Sequence, residues 1–256
     1  MKATSIPNHE KGFRSTGIDS SGKKHLLKPF GVAIPGLVER IEMIECVWEN
    51  GDESFFFKEE FTKQRIVLHF TAGYLKGDVD TLTKPENHVS VPFVIARDGS
   101  IYNLWTSKYW SYHLGPGAKG GSTEMSKTSI GIEISNIGYL EKSSSNLVTQ
   151  YSSSDIYCSI TETIFYYTKI PAYRGKDYFA TFTDEQYNSV IKLLRFLTAE
   201  YKIPREFLDE SKRYDVVNDI ASFKGITSHV NYRPTRKWDI GPAFKWDRVI
   251  SGVRQT

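Results

Sequence analysis

Cysteine is scarce in this chain. Its 256 residues include only Cys46 and Cys158, too few for a disulfide framework or an all-cysteine zinc site. Long apolar runs are missing as well. No stretch approaches the roughly 18 unbroken apolar residues of a membrane helix, so no membrane insertion is expected. The opening Met-Lys-Ala-Thr-Ser-Ile-Pro-Asn-His-Glu lacks the apolar core of a secretory signal. Synthesis in a cytoplasm is therefore expected, with release or delivery by another route if the protein acts outside. An excess of one charge is also absent. Lys plus Arg is 33 and Asp plus Glu 30, a formal +3, without the clustered basic charge of a nucleic-acid binder. No nucleic-acid partner is expected. The small positive excess still favours approach to an anionic polymer such as a cell wall.

Hydrophobic residues make up 39% and charged residues 25%, the balance of a folded globular chain. The length fits one large domain or two small ones. It suffices to bury roughly 70–75% of the unfolded surface. Aromatics are abundant, with 15 Tyr, 15 Phe and 5 Trp. They serve either a core or stacking on sugar or peptide, and composition does not choose. No internal repeat is visible.

Residues 1–28 are polar, with Ser20-Ser21-Gly22-Lys23-Lys24 as punctuation, and read as a loosely held leader. Arg65-Ile-Val-Leu-His69-Phe-Thr71 is β-branched and apolar, a buried strand. Val91–Ala96 is a second strand, turning at Arg97-Asp-Gly-Ser100 into a partner at Ile101–Leu104. In Thr128–Asn136, Ile130, Ile132 and Ile134 alternate against Gly131, Glu133 and Ser135. Two serine clusters and a tyrosine-rich stretch break the pattern over 141–182, which reads as a surface insertion. Thr183-Asp-Glu-Gln186 is a capping box. Behind it Tyr187, Val190, Ile191, Leu194, Leu197 and Tyr201 recur at helical spacing, up to Pro204. Gly225–Val230 is a last short strand. This alternation predicts an α/β protein with a central mixed β-sheet flanked by α-helices. The expected organisation is the leader at 1–28 and a single domain over 29–256 carrying the 141–182 insertion.

Six histidines are present. His69 sits in an apolar strand and His229 ends another. Each alone reads more readily as a satisfied core histidine than as a ligand. Asp239 follows His229 by ten positions across a Pro-containing loop, so the two can meet. With His69 they make two imidazoles and a carboxylate, a zinc set with one position left open for catalysis. Glu133, on the strand face opposite three isoleucines, is either an ion pair on a solvated face or a functional acid. Lys237 alone reads as a solvated loop lysine.

Several strings together resemble the zinc-dependent N-acetylmuramoyl-L-alanine amidases, the type that shares a fold with peptidoglycan recognition proteins and phage lysozyme-type amidases. They are His69-Phe-Thr-Ala-Gly, Ser129-Ile-Gly-Ile-Glu133-Ile-Ser-Asn136, and His229 through Arg236-Lys237-Trp-Asp239. The Val94–Ile101 hairpin and Tyr112-His113-Leu-Gly115 also look like the family's. Each string is weak alone, and their order over Arg65–Trp246 is specific. The resemblance implies Zn2+ as cofactor, held by His69, His229 and Asp239. It makes Glu133 and Lys237 catalytic, and places His113, Asn136 and Arg236 toward substrate, His113 either in contact or behind a ligand.

The implied reaction is hydrolysis of the amide between N-acetylmuramic acid and L-alanine in peptidoglycan. The partner is then the glycan strand with its stem peptide, and the chain is taken as a monomer. A non-catalytic peptidoglycan-binding module of the same fold, or a zinc amidase acting on another amide, are the alternatives. A phage endolysin, an injected antibacterial effector and a wall-recycling enzyme all fit the missing signal peptide. Three departures from the family pattern stand out. Val91-Pro92-Phe93 replaces a Tyr-His or His-Tyr, which shifts weight onto Glu133. Asp239-Ile240-Gly241 replaces Asp-Pro-Gly, which is expected to loosen the ligand loop. The 141–182 insertion has no counterpart in simpler members, and is expected to form a flap beside the substrate groove.

Overall fold

Three parallel apolar strands make the centre of the protein. In the computed structural model, which describes residues 1–162 and 166–255, these are β3 (Arg65–Phe70), β6 (Ser129–Ile134) and β12 (Gly225–Ser228). They belong to a seven-stranded mixed sheet. Outward from them lie β4 (Phe93–Ile95) and its antiparallel partner β5 (Ile101–Asn103), then the hairpin of β1 (His25–Ala33) and β2 (Arg40–Trp48). The mixed α/β sheet expected from the alternation is the one observed.

Alternation along β3 and β6 sorts the two faces, because side-chain period in a strand is two. Ile66, Leu68, Ile130, Ile132 and Ile134 pack on one face against Val190, Leu193, Leu194 and Leu197 of α4 (Asp184–Glu200) and Val249 of α5 (Trp246–Arg254). The capping box starts α4 as expected: Thr183 Oγ1 accepts from the Gln186 amide and Gln186 Oε1 from the Thr183 amide, both at 3.1 Å. Gln186 Nε2 also donates to the Ser135 carbonyl at 2.9 Å, tying the helix to the end of β6. The opposite face carries α2 (Leu75–Leu82), with Leu75, Val79 and Leu82 against Val91 and Val94, and α3 (Ser122–Lys127) precedes β6. No helix among the described residues is long and apolar enough to cross a membrane.

Residues 1–28 are not a loosely held leader. Pro at the second position starts helix α1 (Ile6–Thr16), and Gly17 closes it in the left-handed conformation (φ 67°), as helix ends favour. Phe13 is fully buried against Tyr102 of the main sheet, while Ile6 joins the core of the inserted segment. Its sparse apolar residues kept this helix from showing in the periodicity. Glu10 is buried and accepts the backbone amides of Arg97 and Asp98 at 2.9 and 3.3 Å. Burial pushes its carboxyl up to about 7, despite the Arg97 amide. A carboxyl whose folded pKa lies above its unfolded one binds more protons in the native state. Its stabilisation is present below about pH 4.5 and is lost as pH rises through about 7. Glu10→Gln keeps one acceptor for the two amides, so a loss of stability is expected at pH 4.5. Between pH 4.5 and pH 8 the wild type should lose on the order of 1–3 kcal/mol relative to the variant, read from urea midpoints. A difference that does not change with pH would refute this.

The segment expected as an insertion builds a five-stranded antiparallel sheet of order β10-β11-β7-β8-β9. Its strands are β7 (Tyr139–Ser143), β8 (Asn146–Thr149), β9 (Ile156–Ser159), β10 (Tyr167–Tyr173) and β11 (Lys176–Ala180). Leu140, Leu147, Tyr157, Cys158 and Tyr167 give it a core of its own. Residues 163–165 within that expected insertion, and residue 256 at the end of the expected domain, lie outside the described residues. Cys46 and Cys158 are both buried and free.

Candidate metal centre and active site

Strand register brings the first site residues together. His69 and Glu133 are paired neighbours on β3 and β6. Ser228 pairs with Leu68, so His229 emerges beside His69 as β12 gives way to a short 3-10 turn at His229–Asn231. All three sit at the carboxyl ends of parallel strands, where α/β sheets place their ligands. Asp239 returns on the loop from His229, fixed by the Val230 amide donating to the Asp239 carbonyl at 2.8 Å.

One donor atom each from His69, His229 and Asp239 lies within 4.8 Å of the others. His69 Nδ1 is 2.9 Å from His229 Nδ1, and Asp239 Oδ2 is 2.9 Å from His229 Nδ1 and 3.3 Å from His69 Nδ1. Their hydrogen-bond partners fix the tautomers. Ser129 Oγ donates to the Met125 carbonyl at 2.6 Å, so it accepts from His113 Nε2 at 2.8 Å. His113 Nδ1 is then an acceptor and takes the proton of His69 Nε2 at 3.0 Å. His229 Nε2 donates to the Leu114 carbonyl, again at 3.0 Å. Both Nδ1 atoms are left as bare lone pairs facing a carboxylate.

Electrostatics agree. Burial first, then the neighbouring His229, pushes His69 down to about 4, so its ring is neutral at neutral pH. Burial also holds His113 well below the usual imidazole range. Burial alone would raise Asp239, but positive charge at the imidazole side, His229 first, outweighs it and holds the carboxyl well below its usual range, the role a cation fills when both rings are neutral. Three acceptors converge with no hydrogen between them. A single proton on His229 would relieve one contact, whereas a cation satisfies all three. Zinc bonds of about 2.0–2.1 Å at tetrahedral angles set neighbouring donors roughly 3.3 Å apart, close to the separations here. The donor set fits zinc.

Glu133 stands beside this cluster. Its Oε2 is buried and has no hydrogen-bond partner among the described residues. Burial and then the Asp239 charge raise its pKa well above the carboxylate range, against the opposing Lys237. Lys237, half-buried, and the exposed Arg236 line the same cavity of about 300 Å³, with Val91, Tyr139 and Trp238. A second cavity of about 530 Å³ meets it at Thr71, Leu82, Val89 and Glu133. Tyr151 of the inserted sheet reaches across, its hydroxyl donating to the Ala72 carbonyl at 2.5 Å.

The other residues expected toward substrate divide. His113 lies in the cavity wall, hydrogen-bonded to His69. Gly131 makes that approach possible, since a Cβ there would meet His113 Cγ at 3.2 Å and Val91 Cγ1 at 2.5 Å. Asn136 is not brought to the cavity. Its Nδ2 donates to the carbonyls of Ala180 and Thr181 at 3.3 and 3.1 Å, and its Oδ1 accepts from Gly138. It fastens the two ends of the insertion together. The sequence reading missed two supports of the site. Ser129 opens the Ser129–Asn136 stretch but carries no signal of its own in the sequence. Arg174, in the insertion, donates to the Lys237 carbonyl at 2.7 Å.

A mixed α/β sheet with two imidazoles, a carboxylate and a neighbouring buried acid at its strand ends carries the donor set and the acid that a metal-dependent hydrolase uses. The family profile described as N-acetylmuramoyl-L-alanine amidase matches residues 61–242, and the chain belongs to that family. It is 26% identical over 189 residues to the N-acetylmuramoyl-L-alanine amidase AmiD of Escherichia coli (strain K12), covering 72% of this chain and 51% of AmiD. The solved structure of E. coli AmiD with anhydro-N-acetylmuramic acid-L-Ala-D-gamma-Glu-L-Lys superposes with a TM-score of 0.50 at 23% identity. That match covers 76% of this chain and 59% of AmiD. AmpDh3 from Pseudomonas aeruginosa matches with a TM-score of 0.47 at 18% identity, over 76% and 61% of the two chains. The chain spans about half the length of the AmiD sequence it matches.

Proposed function

We propose that the protein hydrolyses the amide between N-acetylmuramic acid and L-alanine in bacterial peptidoglycan, with zinc held by His69, His229 and Asp239. The observation that carries this reading is the convergence of His69 Nδ1, His229 Nδ1 and Asp239 Oδ2 as three unprotonated acceptors beside Glu133. Zinc supplies Lewis acidity there for the attacking water and the scissile carbonyl. Glu133 accepts the proton of that water and returns it to the departing amine, a task suited to a carboxyl whose proton affinity is raised. Lys237 donates toward the oxyanion of the tetrahedral intermediate. Arg236, exposed at the cavity mouth, is placed for the carboxylates of a stem peptide. The AmiD complex holds an anhydromuramyl tripeptide, and this chain's cavity carries the cationic groups for such a ligand. A binding module without turnover would have no use for an unpartnered buried acid beside the ligand cluster.

The test is mass spectrometry of purified peptidoglycan after digestion, with native, chelator-stripped and zinc-restored protein. Free stem peptides beginning at L-alanine are expected from the native and restored samples, and none from the stripped one. Undiminished cleavage by demonstrably metal-free protein would sink the zinc reading. Products cut at another bond would overturn the substrate assignment.

A further inference from the structure

We propose that Arg174, at the tip of the β10–β11 hairpin, is a positioning residue that holds the loop bearing Lys237 and Asp239 in shape. The inserted sheet is then a working part of the active site. The proposal rests on the zinc amidase reading above.

The contacts run both ways between hairpin and loop. Arg174 Nη1 donates to the carbonyls of Lys237 at 2.7 Å and Arg233 at 3.1 Å. In return the Arg174 carbonyl accepts from Trp238 Nε1 at 3.2 Å. One guanidinium nitrogen thus gathers two carbonyls four residues apart and closes the loop between them. Trp238, between Lys237 and Asp239, is also held by the Tyr139 ring of β7, with centroids 4.7 Å apart. Both grips on Trp238 come from the inserted sheet.

Other bonds hold only the ends of the loop, from Val230 to the Asp239 carbonyl, from Gly241 to the Trp238 carbonyl and from Arg233 to the Leu114 carbonyl. Pro234, Thr235 and Arg236 are exposed and bury no apolar side chain that would fix their conformation. Arg236 also adopts a left-handed backbone (φ 58°), which a non-glycine residue keeps only where its surroundings impose it. Charge-assisted hydrogen bonds from a planar guanidinium are directional enough to impose it. The hairpin is shaped for the task. Arg174 (φ 49°) and Gly175 (φ 80°) are the two left-handed residues of a tight two-residue turn, and the Tyr173 hydroxyl anchors the tip to the Tyr214 carbonyl at 2.8 Å. Arg174 also lies 3.4 Å from Asp215, but that carboxylate is 78% exposed and its pairing contributes little. A group bonded directly to a ligand normally matters about 10–100-fold in metal affinity; Arg174 acts one step further out, on the backbone two residues before Asp239, so its effect is expected at or below the lower end of that range.

The experiment uses the full chain as wild type, Arg174→Ala and Asp215→Asn. It measures the zinc dissociation constant by competition with a chromophoric chelator, kcat and KM on a soluble muropeptide, and melting temperature. Arg174→Ala is expected to raise the zinc dissociation constant by up to about tenfold and to lower kcat, with KM nearly unchanged. Added guanidinium should restore part of both. Asp215→Asn should match wild type, which separates the loop bonds from the surface ion pair. Zinc affinity and kcat of Arg174→Ala at wild-type values overturn the proposal, and so does an equal loss in Asp215→Asn. If Arg174→Ala does not fold, Arg174→Met takes its place. It keeps much of the length but no donor for the two carbonyls, and is expected to lose in the same direction, so wild-type values there are equally fatal. A wild type that neither binds zinc nor cleaves the muropeptide overturns the amidase reading, and this proposal with it. A wild type that does both beside an indifferent Arg174→Ala overturns this proposal alone.

Discussion

Glu133→Ala is expected to keep zinc at near one per chain and to lose roughly 10²–10⁴-fold in turnover, the usual worth of a positioned acid–base group. Metal retention follows from geometry. The three converging donors come from His69, His229 and Asp239, and Glu133 is not among them. The loss of turnover follows from its environment. A carboxyl with one buried, unpartnered oxygen, raised first by burial and then by the Asp239 charge, is a base that can take a proton and release it within one cycle. Among the described residues no other acid in the cavity wall shares that placement: Asp239 is engaged by both histidines. Added zinc should not rescue the variant. Lys237→Ala should behave alike, with a loss on the order of 10²–10³-fold for one oxyanion partner. Zinc content by atomic spectroscopy alongside turnover decides the matter. A Glu133→Ala protein that sheds its metal together with its activity would make Glu133 a ligand.

The strands that carry this chemistry were legible because their pattern is dictated by burial. Ile130, Ile132 and Ile134 face α4, which leaves Glu133 on the other face without further information. The helix behind Thr183 was legible for the same reason, its cap and its apolar stripe agreeing. Register was not legible. Nothing in the sequence places Glu133 beside His69 rather than one residue away, and a one-residue slip would turn it into the core. The family strings, read as a set in order, supplied that placement.

What escaped the sequence shares a physical cause. The inserted sheet draws its core from Tyr157, Cys158 and Tyr167 in strands of four to seven residues, too short and too polar for alternation to stand out among serine turns. Helix α1 buries only Ile6, Glu10 and Phe13, and one of its three inward side chains is an acid. Asn136 shows the opposite failure. It sat at the end of a family string and was assigned to substrate, yet its amide is spent on the backbone at the base of the insertion. The expectation that Asp239-Ile240-Gly241 would loosen the ligand loop also meets a structural answer, since the insertion presents Arg174 to two carbonyls of that loop.

Asp239→Ala is expected to fail in the opposite way to Glu133→Ala. It removes the carboxylate and leaves two neutral imidazoles, so zinc occupancy should collapse and turnover with it. Affinity should fall by more than the roughly 10–100-fold that a supporting group is worth. Excess zinc should recover part of the activity, because Glu133 and Lys237 remain in place. The backbone should survive, since the Asp239 carbonyl rather than its side chain accepts from Val230, and the loop is held elsewhere by Arg174. Thermal melting separates metal loss from unfolding. A ligand that binds only the native state stabilises it by RT ln(1 + [L]/Kd), so zinc should raise the melting temperature of the wild type by several degrees. In Asp239→Ala, near-wild-type melting without metal should go with little response to added zinc. In Glu133→Ala the zinc response should stay at the wild-type size. An Asp239→Ala protein that keeps stoichiometric zinc and a full zinc-induced rise in melting temperature would show that the two histidines suffice, and would remove Asp239 from the ligand set.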